Sequence, residues 1–207
     1  TTVIAAEYEG GVVLAANSLI ADGGNYGLPG ADKLVRLSEY LYCCSSGTVG
    51  QAERLTKTVL DNVYPMITIG FVISVHLAAM MFHTKIYMDR RSYFNDAIVA
   101  GWDKKGGGQV YYIGPSGTMV HGAAVSGAGA NIARGYLTSN HRKNLPLKDV
   151  LQLVKNAVEI VITNEPRAGG VVRLLVINKN GLATSRIVPI NNQMFAVSNF
   201  PLWELEL

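Results

Sequence analysis

Residues 2–7 alternate loosely between apolar and polar side chains, and residues 12–16 return as a second apolar run after Glu9, Gly10 and Gly11, whose glycines suit a tight turn. The pattern predicts an N-terminal hairpin. The Gly- and Asn-rich residues 18–30 then read as a loop, followed by strands over 34–37 and 41–45. Ser46, Gly47 and Thr48 read as a strand-to-helix turn. Thr48 is the expected N-cap of a helix running from Val49 towards Asn62, where apolar positions recur at helical spacing. A second helix is expected over much of 73–88, a hairpin from 97–101 and 110–113, and one further strand over 119–125. Helices follow over 130–138 and 147–163, the latter carrying Leu147, Val150, Leu151, Val154, Val158, Val161 and Ile162 on one face. Strands over 171–177 and 182–187 close the pattern. Strands, two helices, strands, two helices and strands again predict an α+β fold. Its architecture is a four-layer alpha-beta-beta-alpha sandwich of two antiparallel sheets.

The longest apolar run, 66–82, contains Gly70, Ser74 and His76 and falls short of the roughly 20 residues that a bilayer span requires. It reads as a buried helix or a strand-helix junction. With 207 residues and no polar or Pro-rich linker, residues 1–190 read as one domain. Residues 191–207, with Met194, Phe195, Phe200, Leu202, Trp203 and Leu205, read as a tail that docks on a neighbouring chain. Charged residues are only 16% of the chain, so part of its apolar surface is expected to meet partners. The net charge is +3 with basic residues scattered, which excludes a nucleic-acid footprint. Cys43 and Cys44 are neighbours on a strand and point to opposite faces, so they read as buried free thiols in a reducing compartment. The four histidines lack paired ligand spacing, and neither a metal nor another cofactor is expected. The chain starts without Met and without a signal-like segment, so Thr1 reads as an end exposed by processing.

An N-terminal Thr carries its own base, because an α-amino group of reference pKa about 7.7–8.0 can deprotonate the hydroxyl of the same residue. The surroundings of Thr1 give that chemistry a context. TTVIAAEYEGGVVLAANS, then ADK ending at Lys33, then YLYCCSSG ending at Gly47, resembles the beta subunits of the proteasome core particle, in which these segments keep the same spacing. IVAGWDKKGGGQVYYI, SGAGANIARGYL and AGGVVRLLVINKNG extend the likeness to about residue 187, and CCSSG with AGGVVRLLV resembles the caspase-like, post-acidic type most.

The resemblance implies an N-terminal-nucleophile hydrolase fold and a threonine-type endopeptidase. Thr1 would be the nucleophile, and Lys33 an ammonium that lowers the proton affinity of the Thr1 amine. The Gly47 N–H would stabilise the oxyanion, a contribution of about 3 kcal/mol. Extended substrate would pair with backbone at Ala21, Gly47 and Val49 as an added strand. Asn17 stands where the family has an aspartate that pairs with the lysine, and Glu165 where it has another aspartate. Ala128 and Ala168 replace two serines that hold the amine and water. Ser126 is one residue out of register and is expected to face elsewhere.

By the same register the substrate pocket is lined by Ile20, Ala31, Val35, Ser45, Val49 and Glu53, with the acid at its base, which implies neutral or apolar side chains before the cut and leaves basic ones open through Glu53. Ser45 stands where the post-acidic type carries Arg. Other alpha and beta subunits of the particle and unfolded polypeptides are the implied partners, without nucleic acid or membrane, in cytoplasm and nucleus. The residue pattern leaves two functions open: an endopeptidase of altered or reduced activity, and a catalytically feeble subunit that chiefly builds the ring. A free-standing amidase explains so long a likeness poorly.

Overall fold

The computed structural model describes residues 2–19, 32–89, 96–116, 119–165 and 171–189. Ten strands and four helices are found among them: β1 Thr2–Tyr8, β2 Gly11–Asn17, β3 Val35–Ser38, β4 Leu41–Ser46, α1 Val49–Thr68, α2 Val75–Met88, β5 Asp96–Asp103, β6 Gly107–Ile113, β7 Met119–His121, β8 Ala123–Gly127, α3 Ala130–Asn140, α4 Leu147–Asn164, β9 Val171–Asn178 and β10 Gly181–Pro189. The strands form two five-stranded sheets, ordered β10-β9-β2-β1-β8 and β3-β4-β5-β6-β7. Every strand pairing is antiparallel.

Strand alternation divides the apolar side chains into three layers. Val3, Ala5, Val12, Leu14, Tyr42, Cys44, Ile98 and Ala100 meet between the sheets. Ile4, Ala6, Val13 and Ala15 face the other way, onto α3 and α4. Leu41, Cys43, Ala97 and Val99 pack beneath α1 and α2. The strand β2 is buried at all seven positions because both its faces are covered. The sandwich architecture is therefore as the pattern predicts, and all seven residues expected on one face of α4 belong to one cluster. Cys43 and Cys44 are free, buried and in different layers.

Two expectations are corrected. The single strand over 119–125 is two strands in different sheets. Gly122 lies between them at φ +107°, where its N–H donates to Val110 O and its O accepts from the Glu7 N–H, one bond to each sheet. The apolar run 66–82 is not buried throughout. The helix α1 ends at Thr68, Gly70 turns the chain at φ +82°, and Ile69 and Val72 stand 83% exposed before α2 resumes the packing. Residues 191–207 lie outside the described residues, as do Thr1, Ile20, Ala21, Ala31 and Ala168.

Candidate active site

The hairpin of β1 and β2 brings Thr2 and Asn17 together at one end of the first sheet. Thr2 is pinned by three neighbours: its N–H donates to Asn17 Oδ1 at 2.6 Å, its hydroxyl donates to Ala128 O at 2.5 Å, and its backbone pairs with Gly127 of β8. Asn17 Oδ1 also accepts from Lys33 Nζ at 3.3 Å. Two donors converging on one atom fix the amide orientation, since only the oxygen can accept.

Lys33 enters from the segment before β3. Its ammonium donates to Leu19 O at 2.5 Å as well as to Asn17. Both oxygens are neutral, and burial pulls the ammonium down to about 8. The neighbouring Cys44 thiolate would push it back up, but burial raises that thiol to about 12, so Cys44 stays neutral wherever Lys33 titrates. The adjacent Asp32 anchors the segment: its Oδ2 accepts from Arg173 Nη1 of β9 at 2.5 Å, and its Oδ1 accepts from the Leu34 N–H at 3.2 Å.

Gly47 follows β4 at φ +116°, a conformation that side chains rarely tolerate, and it carries the chain from the ladder into α1. Thr48 is the N-cap residue, though its side chain makes no cap hydrogen bond. Glu165 ends α4 and lies beside the 127–129 loop. A methyl group on Gly129 would fall 2.6 Å from Val161 Cγ1 and 3.4 Å from Glu165 Cβ. The loop that receives the Thr2 hydroxyl is thus packed on the end of α4 that carries Glu165. Ser126 faces the space between the sheets.

A cavity of about 280 Å³ opens beside Lys33 and Gly47. Val35, Ser45, Val49 and Glu53 line it as the register implies. Asp32, Ala52, Thr56, Lys57 and Leu60 also line it. Positions 49, 52, 53, 56, 57 and 60 form one helical stripe, so the α1 side of the wall was readable from helical spacing once the helix start was fixed. The Ser45 and Thr56 hydroxyls bond at 3.2 Å across the wall. Glu53 lines the cavity from an exposed position on α1. Lys57 stands one turn on from it.

The geometry gathers a half-buried cation, a neutral amide, a positive-φ glycine and a mostly apolar pocket at one end of the sandwich. Comparison with known proteins gives a consistent picture. The family described as "Proteasome subunit" matches residues 1–177. "Probable proteasome subunit beta type-1" of Schizosaccharomyces pombe is 33% identical over 190 residues, 88% of this chain and 81% of that protein. "Proteasome subunit beta type-6" of Dictyostelium discoideum is 30% identical across 93% of this chain and 90% of that protein. The Arabidopsis thaliana protein of the same name is 29% identical across 100% and 86%.

Proposed function

The chain belongs to the proteasome subunit family as a beta-type member, and from that premise we propose that it is a threonine-type endopeptidase subunit of a core particle, cutting unfolded polypeptide through Thr1 at a reduced rate. The observation that carries this reading is the convergence of Lys33, Asn17 and the pinned Thr2 beside the Gly47 turn and its pocket. A residue bonded to Thr2 has its Cα about 3.8 Å from that of Thr2, so the anchors on Thr2 restrict where a nucleophile at position 1 can sit. The Lys33 charge then favours a neutral amine on Thr1, and the Gly47 N–H meets the oxyanion. The second reading, a ring-building subunit with little activity, draws on Asn17, which offers Lys33 a neutral amide oxygen where the family has a carboxylate, and on Ala128, whose methyl group stands where the family has a hydroxyl.

The pH profile tests this chemistry. Lys33 is charged below about pH 8 and neutral above it. Peptide hydrolysis is therefore expected to fall on the alkaline side with a midpoint near 8. In Asn17→Asp a carboxylate would face the ammonium, favour its charged form and move that midpoint up by about one unit or more. An alkaline limb that stays in place in Asn17→Asp would show that another group titrates.

The pocket makes a separate prediction. With Ser45 and Thr56 on its wall and Glu53 exposed, the subunit is expected to cut after neutral and apolar side chains. Ser45→Arg would place a cation there, and its charge-assisted bond to a substrate carboxylate should favour acidic peptides by about tenfold or more relative to wild type. An unchanged ranking across a peptide panel would place the specificity determinant elsewhere.

A further inference from the structure

The space between the sheets is filled by apolar side chains until the end beside Gly47, where it turns polar. Asp96 opens β5 directly opposite Ser46 of β4, the last rung of that ladder before the Gly47 turn. The Ser46 hydroxyl donates to Asp96 Oδ1. Ser126, 1% exposed on β8 of the other sheet, sits 2.6 Å from the same oxygen and 2.7 Å from Ser46 Oγ. Tyr112 of β6 also hydrogen-bonds Asp96, and the exposed Arg134 of α3 lies over the Tyr112 ring, 5.7 Å from its centroid. Asp96 is half-buried at this rung, and its carboxyl gathers Ser46, Ser126 and Tyr112 where an apolar side chain would merely extend the inter-sheet packing. The cluster stands instead against the one turn whose backbone direction matters to an oxyanion.

We infer that Asp96 is a positioning residue: by holding Ser46 to Ser126 across the two sheets, it fixes the direction of the Gly47 N–H from behind. This inference rests on the peptidase reading for its catalytic consequence, while its structural core stands on the turn itself. Both donors meet Oδ1, so an asparagine keeps the acceptor that matters, whereas an alanine removes it.

The test uses the assembled particle carrying wild type, Asp96→Ala or Asp96→Asn, with particle yield and melting temperature measured alongside. Inactivation by a peptide epoxyketone is expected to lose about tenfold or more in its limiting rate in Asp96→Ala with the half-saturating concentration within about threefold, as for a misplaced donor. Asp96→Asn should return to within about threefold of wild type. Amide hydrogen exchange in a peptide spanning residues 44–50 should rise about tenfold in Asp96→Ala, with exchange in α4 unchanged. Equal exchange in wild type and Asp96→Ala would overturn the inference, as would an asparagine variant as slow as the alanine one. A wild-type particle that the probe does not label on this chain would count against the peptidase reading, and the exchange measurement would still decide the role of Asp96.

Discussion

Thr1→Ala, produced with residue 1 as the mature start, is expected to lower this subunit's peptide hydrolysis on the order of 10⁴-fold or more while leaving the particle assembled. Alanine keeps the α-amine and removes only the oxygen, so the base remains with nothing to activate. Among the described residues, Lys33 is held by Asn17 and Leu19, and Thr2 by Asn17 and Ala128, and none of these anchors is altered by the substitution. Activity should therefore vanish without loss of fold. The assay compares particles in which every other active subunit is blocked. Equal residual hydrolysis in wild type and Thr1→Ala would make this chain a structural member of the ring.

The second large effect runs in the opposite direction. Asn17→Asp, Ala128→Ser and Ala168→Ser together restore the carboxylate and two hydroxyls that the family pattern carries. They are expected to raise the hydrolysis rate by about ten- to hundredfold, since a polar contact to the amine is worth about 1–3 kcal/mol and such contacts do not add. The best-supported part is Asn17, whose Oδ1 lies 3.3 Å from Lys33 Nζ and 2.6 Å from the Thr2 nitrogen. A carboxylate there would turn a neutral hydrogen bond into an ion pair with a half-buried ammonium. A triple variant no faster than wild type would mean that the neutral partners do not limit the rate.

The layering was readable in the sequence because burial on both faces leaves continuous apolar strands such as β2, while α4 keeps a clean helical stripe. What escaped was any feature set by a single glycine or by contact between distant segments. Gly122 splits one apolar run between two sheets, and nothing in the period of that run signals the crossing. Gly70 ends α1 and leaves Ile69 and Val72 in solvent, although their composition matches that of buried neighbours.

The site divides in the same way. Lys33, Gly47 and four pocket residues were found from register with Thr1, and Ala52, Thr56, Lys57 and Leu60 follow from the pitch of α1. Asp96 and Ser126 lie 30 positions apart and belong to different sheets, so only the packed sandwich brings them to Ser46. Arg173 and Asp32, 141 positions apart, are a further pair that only the fold joins, and together they steady the segment carrying Lys33.

The central claim is that Thr1 of this chain attacks substrate. It is tested most directly by incubating the assembled particle with a peptide epoxyketone and measuring the intact mass of this subunit. Such a probe closes a ring with both the hydroxyl and the amine of an N-terminal threonine, so the predicted result is a mass gain of one probe, mapped to Thr1 and absent from Thr1→Ala. An unchanged mass under conditions that fully label another subunit of the same particle would contradict the claim.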